Sequence, residues 1–289
     1  MTSPSQPVTA VDAVADQAGL LRQLEGQENF PVALRLLPRQ LRADLRAVYD
    51  IARTIDDLGD EAPGDRLALL DDFEADLRRA WTTTEPRLPV VQRLVPVVQA
   101  HDLSIDPFLR LVAANRLDQR QSSYPTWNDL RHYCTLSADP VGRIVLAVTD
   151  SLTIQRVELS DDVCTALQVL EHCQDVAEDR RHGRIYLPLE DLAEFDVTEI
   201  DLDLTHTPAS VRRLVGHEVH RARGLLASGP VLVHSLRGSA RVAVAGFVAG
   251  GLATADALRR ADYDVLARDI VPRKRDILRH AIRLLAGRS

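Results

Sequence analysis

Apolar side chains recur at intervals of three and four residues along most of this 289-residue chain, and this spacing is the feature that most restricts its fold. Such a period places apolar residues on one face of an α-helix, whereas a half-exposed β-strand would alternate apolar and polar residues. Alternating β-branched runs are scarce here. Because 45% of the residues are hydrophobic, the chain can bury a substantial core. The sequence therefore predicts an all-α protein.

Proline, glycine and short polar turns divide this pattern into a series of helices. We expect helices at Val8–Leu24, Pro38–Gly59, Asp65–Trp81, Pro89–His101, Asp106–Gln121, Thr126–Leu136, Val141–Val157, Asp161–Arg181, Ala209–Ala227, Arg237–Ala261 and Pro272–Leu285. Thr126 and Ser160 are placed to act as N-caps. No Gly/Ser-rich linker or internal repeat is visible, so we expect one domain over residues 1–289, with residues 1–7 loose.

Charge and cysteine content restrict the class of protein. A net charge of −7 and a pI near 5.7 argue against a nucleic-acid-binding protein, which would need a basic face. Three cysteines without CxxC spacing are typical of a reducing compartment. The N-terminus lacks a basic segment followed by an apolar run, and the most apolar stretch, Val242–Leu258, is short enough for a core helix. We therefore expect a cytoplasmic protein.

Two segments place acidic residues four apart within predicted helices. They are IARTIDDLGD (51–60), with Asp56 and Asp60, and CQDVAEDRRHGRIYLP (173–188), with Asp175 and Asp179. Residues at this spacing share a helix face, and like charges there are destabilising. Among 42 acidic residues several such pairs arise by chance, and a solvated helix surface is the simplest interpretation. The apolar flanks of both segments and the arginines beside them favour a functional role.

Facing sets of carboxylates are suited to Mg²⁺, which binds one or two carboxylates together with waters and substrate phosphate oxygens. The ligand that this arrangement indicates is a diphosphate, because metal ions neutralise its charge and stabilise it as a leaving group. An all-helical cavity with carboxylates at its mouth and apolar residues inside is suited to a hydrocarbon tail. The predicted chemistry is ionisation of an allylic or cyclopropylcarbinyl diphosphate.

The same segments resemble the squalene and phytoene synthase family over residues 28–285. YDIARTIDDLGD is similar to the family's Arg-x-x-Asp-x-x-x-Asp motif. LQVLEHCQDVAEDRRHGRIYLP is similar to its longer Gln-x-x-Asn-x-x-x-Asp-x-x-x-Asp motif with the trailing Arg-Ile-Tyr-Leu-Pro. The resemblance implies a single-domain, isoprenoid synthase-type helical bundle around a central cavity.

Three further segments narrow the resemblance to one branch. ENFPVALRLLP, YPTWNDLRHYCTLSADPVGRIVL and ADYDVLARDIVPRKRDIL are most similar to the bacterial hydroxysqualene synthases of hopanoid biosynthesis. These convert presqualene diphosphate to hydroxysqualene with Mg²⁺ and no reductant. The resemblance thus implies Mg²⁺ as cofactor, no NADPH, and a prenyl diphosphate as substrate.

The resemblance also assigns roles to individual residues. Asp56, Asp60, Asp175 and Asp179 would bind Mg²⁺, with Glu171 as an additional candidate ligand. The diphosphate would be held by Arg53, Arg184 and Tyr186. Arg268 and Lys274 would either close over it or belong to a solvated helix start. The cavity would include Phe30, Val141 and Gly142. Candidates for catalytic groups, including the one that positions water, are Tyr133, Gln168 and Tyr263.

Two positions depart from the family pattern. Glu171 replaces an asparagine that offers a neutral oxygen to the metal, so it is either an alternative ligand or a group that weakens the site. Asp139 stands where we expect asparagine, which we interpret as a modest change in a loop. HEVH (217–220) lacks the spacing of a zinc-protease motif and is not assigned a metal.

The sequence is also compatible with other functions. The same aspartates would serve head-to-head condensation of two farnesyl diphosphates to presqualene diphosphate or squalene. A catalytically inactive assembly or scaffold protein is a further reading, favoured only by Glu171. Because the substrate and product would be lipids, peripheral contact at the inner membrane face is compatible with the sequence, as are other squalene-pathway enzymes as partners. The amphipathic segment KRDILRHAIRLLAG is a candidate for membrane contact, although such a helix more often packs against the protein.

Overall fold

The computed structural model describes residues 37–82 and 85–287, and its regular elements are helices. The α-helices are α1 (Arg39–Asp60), α2 (Arg66–Leu77), α3 (Pro89–His101), α4 (Asp106–Asp118), α5 (Trp127–Ser137), α6 (Asp139–Val148), α7 (Ile154–Gln174), α8 (Val176–Arg181), α9 (Leu189–Glu194), α10 (Ala209–Leu225), α11 (Ser228–Ser235), α12 (Gly238–Arg260) and α13 (Lys274–Leu285). Short 3-10 turns span Arg78–Trp81 and Glu199–Asp203. Within the described residues the extended pairing is one isolated bridge, between Ser123 and Ile185. The predicted first helix, Phe30 and the N-terminal seven residues lie outside this range.

Most predicted helices are confirmed to within a few residues, including the cap at Thr126, which forms a capping box with Asp129. The prediction for the middle of the chain was wrong. Helix α6 ends at Val148, and α7 begins only at Ile154, with Thr153 as its N-cap. Ser160, predicted to be a cap, is instead buried within α7.

Helix α7 lies at the centre of the bundle, in contact with α5, α6 and α10 to α12. Helix α1 lies on the opposite side of α6 from α7. It packs against α6 and also against α2, α3 and α4. Because α6 contacts both α1 and α7, the two acidic segments face each other across the interior. The sequence pattern thus determines both the packing and the position of the site.

The apolar helix α12 confirms the predicted helix Arg237–Ala261 and contains the apolar stretch Val242–Leu258. By length and composition alone it could cross a membrane, but 61% of its most apolar window is buried inside the protein. It packs against α13, α11, α7 and α10. Within the described residues α12 therefore behaves as a core helix, as its many alanines and glycines suggest.

Asp139 is not a loop residue, which corrects the expectation from sequence. It is the first residue of α6, is 1% exposed, and accepts a hydrogen bond of 3.0 Å from the Thr165 hydroxyl. Burial, reinforced by the negative charge of Asp161, raises the pKa of Asp139 to about 7. The substitution therefore places an ionisable group in the core.

We expect Asp139→Asn to stabilise the protein at pH 8 and to have little effect at pH 5. The folded state raises the pKa of this carboxyl, so folding takes up protons between about pH 4 and 7 and wild-type stability falls as the pH rises through that window. Asparagine keeps the acceptor for Thr165 and does not ionise. The gain at pH 8 should be on the order of 1–3 kcal/mol, measurable by urea unfolding. An equal effect at both pH values would contradict this account.

Candidate active site

A cavity of about 260 Å³ opens between α1, α4 and α7. Six carboxyl groups line it: Asp56, Asp60, Asp118, Glu171, Asp175 and Asp179. Among the described residues, the guanidinium groups that line it are those of Arg53 and Arg184. The four aspartates predicted from the two acidic motifs therefore come together, and negative charge predominates.

A break in the helix at Asp175 shapes one wall of this cavity. Sequence spacing predicts a continuous helix here, but Asp175 has φ −99° and ψ 14° and separates α7 from α8. The chain then turns back at Gly183, whose φ of +75° is readily adopted by glycine. The backbone N–H of Arg184 donates to the carbonyl of Asp179 over 2.9 Å. The turn brings the Arg184 side chain towards the acidic residues of α1.

Polar contacts connect the two acidic segments and α4. Arg184 Nη2 lies 2.6 Å from Asp60 Oδ1, and Asn115 Nδ2 donates to Asp56 Oδ1 over 3.1 Å. Gly59 permits the close approach of α4, because a Cβ at that position would lie 2.0 Å from Asn115 Oδ1. Asn115 therefore orients Asp56, as a second layer of hydrogen bonds does around metal-binding carboxylates.

Arg53 lines the same cavity and forms ion pairs on its outer side. Its Nε lies 2.9 Å from Asp57 Oδ1, and Nη2 lies 3.4 Å from Glu61 Oε1. The buried Asp57 is thus the partner of an arginine and is not among the cavity-lining residues. This pairing explains why α1 carries more acidic residues than the site itself uses.

The carboxyl groups of the cavity have perturbed acidity. Desolvation raises the pKa of Asp56 to about 7, with the charges of Asp60 and Glu171 adding to the effect. Asp175 is raised to a pKa of about 7 by desolvation and by Glu171 and Asp179. The Asp56 side chain is exposed to the cavity. Because the cavity is itself surrounded by protein, the carboxyl is still desolvated. A bound cation would relieve this repulsion.

Asp118 is a site residue that sequence reasoning missed. It accepts hydrogen bonds from the hydroxyls of Tyr133 (2.7 Å) and Tyr186 (3.0 Å), and burial raises its pKa. The available signal was the pair Asn115 and Asp118, three residues apart on an otherwise largely apolar stretch of α4. Two predicted site tyrosines are therefore held by one unpredicted carboxylate.

His172 also lines the acidic cavity. Its ring stacks on that of Tyr186, with centroids 3.9 Å apart and an interplanar angle of 6°. One ring nitrogen lies 3.3 Å from Gln168 Nε2, and the other 3.8 Å from Asp179 Oδ2. His172 thus contributes to the cavity wall between Gln168 and the second acidic pair.

A second cavity of about 270 Å³ continues from the first into the bundle. Its walls are largely apolar and include Val141 and Gly142, as the resemblance implies. Four residues line both cavities: Asp56, Ser137, Gln168 and Glu171. The two spaces therefore meet, so that one end is acidic and the other apolar. A molecule with a charged head and a hydrocarbon tail would fit this arrangement.

Three residues assigned from the resemblance are not among those lining either cavity. Arg268 pairs with Asp264 (3.1 Å) and donates to a backbone carbonyl. Tyr263 lies in a left-handed turn after α12 and faces Gly216 of α10. Lys274 is an exposed first residue of α13. A closing role for this segment stays a prediction, and Phe30 lies outside the described residues.

Among the described residues, one group of three metal-ligating side chains has its ligand atoms all within 4.8 Å of one another, and it is not at this site. It comprises Asp191, His217 and Glu218, the last two from the HEVH segment. Arg221 Nη1 lies 2.7 Å from both Asp191 Oδ2 and Glu218 Oε1. The guanidinium therefore stands where a cation would have to bind.

The acidic cavity, in contrast, fits a divalent metal by its donor set. Its carboxylates come from two facing elements, and the two arginines do not balance their charge. Mg²⁺ retains several waters and takes further oxygens from a substrate phosphate, so the protein needs to supply only one or two carboxylates per ion. Asp56, Asp60, Asp175 and Asp179 are the residues that would hold it, with Glu171 adjacent.

Comparisons with known proteins identify the family. The family described as "Squalene/phytoene synthase" matches residues 24–276. A hydroxysqualene synthase from Zymomonas mobilis is 35% identical over 225 residues, covering 75% of this chain and 74% of that protein. A phytoene synthase from Arthrospira platensis is 33% identical over 226 residues, covering 72% and 73%.

Solved structures show the same fold. A squalene synthase HpnC from Alicyclobacillus acidocaldarius is 40% identical, with a TM-score of 0.78 over 88% of this chain and 97% of that one. A dehydrosqualene synthase in complex with ligand, 22% identical, has a TM-score of 0.82 over 95% and 97%. The predicted all-α isoprenoid synthase fold is confirmed. The chain is an enzyme of the squalene/phytoene synthase family.

Proposed function

We propose that this enzyme converts presqualene diphosphate to hydroxysqualene in a Mg²⁺-dependent reaction, as part of squalene and hopanoid biosynthesis. The observation that carries the proposal is the junction of the two cavities, which joins an acidic head-group site to an apolar chamber. The relatives named hydroxysqualene synthase and squalene synthase support the choice of substrate class. The retained acidic pairs argue against an inactive scaffold.

The acidic cavity would bind the diphosphate end. Mg²⁺, held by Asp56, Asp60, Asp175 and Asp179, would neutralise the diphosphate and stabilise it as a leaving group. Arg184 is held in position by Asp60 and can donate to a phosphate oxygen from the same side. The hydroxyl of Tyr186 donates a hydrogen bond to Asp118.

The apolar cavity would enclose the hydrocarbon and the cationic carbon skeleton. Val141, Gly142, Val145 and Leu146 of α6 line it, and they offer no nucleophile that would trap the cation. The alcohol product requires one water molecule near the reacting carbon. No reductant enters this scheme, so NADPH is not needed.

We place the enzyme in the cytoplasm, in peripheral contact with the inner membrane face. Its lipid product would pass from there to other squalene-pathway enzymes.

Product analysis tests the proposal directly. Purified enzyme is incubated with Mg²⁺ and either presqualene diphosphate or farnesyl diphosphate, with and without NADPH, and the products are identified by mass spectrometry. We expect hydroxysqualene from presqualene diphosphate alone, and none after chelation of the metal. Turnover of farnesyl diphosphate would instead assign the enzyme to the condensing branch, and no product in any tube would favour the scaffold reading.

A further inference from the structure

Helix α13 carries two apolar stripes, and the first of them faces the protein. Ile277, Ala281 and Leu284 recur at intervals of four and three residues, so they share one helix face. Ile277 and Leu284 are buried, and Ala281 packs against the core. Helix α13 contacts α12 and α11. An amphipathic surface helix is held by one such face, so packing against the protein accounts for this inner stripe alone.

The second stripe of α13 faces outward. Leu278, Ile282 and Leu285 repeat the same spacing one residue later, and they are exposed, Leu278 to 56% and Ile282 to 57%. We call these three residues the outer stripe. Val271, just before α13, and Val231, on the neighbouring α11, are exposed as well. Five of the eight exposed large apolar residues in the described ranges therefore belong to α13 or lie near it, and such a concentration is typical of an interaction surface.

The charge on the outward side of α13 is positive, although the whole chain has a net charge of −7. The acidic residue of this helix, Asp276, is 3% exposed and is paired with Arg260 of α12. Its cations, in contrast, are exposed beside the outer stripe: Lys274, Arg275, Arg279 and Arg283. An apolar stripe flanked by Lys and Arg fits a surface that is apolar inside and anionic outside.

The outer stripe lies on the same side of the bundle as one wall of the apolar cavity. Leu232 of α11 and Val244 and Phe247 of α12 line that cavity. Helix α13 packs on both of these helices. The hydrocarbon end of the site is therefore separated from the outer stripe by a single layer of helices, whereas the acidic cavity is lined by residues of α1, α4, α5, α7 and α8 and of the segment after α8.

We propose that the outer stripe of α13 docks on the surface of a lipid bilayer that contains anionic lipids. The inference deepens the proposed function, on which it rests for the lipid nature of substrate and product. The apolar side chains would enter the boundary between head groups and acyl chains, and the flanking cations would reach the lipid phosphates. A second copy of this chain is a poorer occupant, because a symmetric pair of α13 helices would bring the same cations together.

The experiment is co-sedimentation of the full chain with vesicles of phosphatidylcholine alone or of an equal mixture of phosphatidylcholine and phosphatidylglycerol. We expect binding to the mixed vesicles, and its loss in 1 M NaCl, where the Debye length is about 3 Å. Ile282→Asp should weaken binding by at least about tenfold, as for loss of one inserted apolar side chain. Arg275→Gln combined with Arg283→Gln should weaken it about 25-fold, since each cation near an anionic surface contributes about fivefold.

Ile200→Asp is the matched control. Ile200 is 74% exposed, but it lies on the acidic turn Glu199–Asp203, which packs against α8. Its replacement should leave vesicle binding unchanged. The unfolding midpoint of Ile282→Asp should match that of wild type, because the replaced side chain is exposed. Its turnover of presqualene diphosphate supplied in detergent should stay within about twofold, because Ile282 does not line either cavity.

The outcomes separate this inference from the proposed function, because vesicle binding is measured without substrate. Wild-type enzyme that makes hydroxysqualene but does not bind the mixed vesicles would overturn the membrane surface alone. Equal binding of wild type and Ile282→Asp, or equal binding to both kinds of vesicle, would also overturn it. A lower unfolding midpoint of Ile282→Asp, or a wild-type dimer that this substitution dissociates, would show that protein covers the stripe. Vesicle binding without hydroxysqualene formation would instead overturn the proposed reaction.

Discussion

Replacing Asp56 by asparagine should lower turnover on the order of 10³-fold while leaving the helical fold intact, since metal stabilisation of the leaving group is worth several kcal/mol. Asp56 faces the cavity, lines both of its parts and is oriented by Asn115. The amide retains one oxygen but loses the charge. Turnover of presqualene diphosphate and far-ultraviolet circular dichroism would be measured on the same preparations.

The stability of this variant provides an independent check. The folded protein raises the pKa of Asp56 to about 7, so the ionised carboxylate that predominates above that pH lowers the stability of the metal-free folded state. Asp56→Asn should therefore unfold at a denaturant concentration no lower than wild type at pH 8 without metal. Asp50→Asn is the matched control, on the same helix but facing Arg93, and should retain turnover. Near-normal turnover of Asp56→Asn, or its unfolding, would contradict the metal assignment.

Helix positions were largely predictable because apolar periodicity reports which face each helix buries. The exceptions have local causes. The predicted helix Val141–Val157 runs across a loop that periodicity does not detect, since residues on both sides are apolar. The break at Asp175 is equally invisible, because its sequence is compatible with a continuous helix. The short helices α9 and α11 contain too few turns to establish a period.

The site was predictable where its residues fall in one motif, and less so where they come from separate helices. Acidic residues four apart indicated Asp56, Asp60, Asp175 and Asp179 directly. Nothing in the sequence marks Ser137 as a residue of both cavities, because this position follows only from how α5 packs in the bundle. Asp118 likewise depends on which tyrosines α5 and the segment after α8 bring to it.

The sequence left two interpretations of Glu171 open: an alternative metal ligand, or a group that weakens the metal site. It stands at the junction of the two cavities, one turn before Asp175, and its charge raises the pKa of both Asp56 and Asp175. In the metal-free state it therefore increases the repulsion among the acids. The same charge increases the attraction for a cation, so a carboxylate in place of the family's asparagine is compatible with a retained metal site.

The apolar cavity depends on a glycine at the contact between α6 and α7. A Cβ at Gly142 would lie 2.3 Å from Ser160 Oγ and 2.5 Å from Cys164 Sγ, both of which line the cavity. Any side chain at this position must displace α7 residues or project into the space that the hydrocarbon would occupy. Gly142 is therefore required for the closeness of α6 and α7 and for the width of the chamber.

Gly142→Val should lower turnover of presqualene diphosphate by more than about 100-fold and destabilise the fold by roughly 1–3 kcal/mol through overpacking. Binding of Mg²⁺ with inorganic pyrophosphate should remain, because Gly142 does not line the acidic cavity. Calorimetric titration and steady-state kinetics would measure the two effects separately. Gly224→Val, at an exposed helical position with no atom within 4 Å of the added Cβ, controls for the change in helix propensity. Equal loss of pyrophosphate binding and turnover in Gly142→Val would show that the two cavities do not act as separate parts of the site.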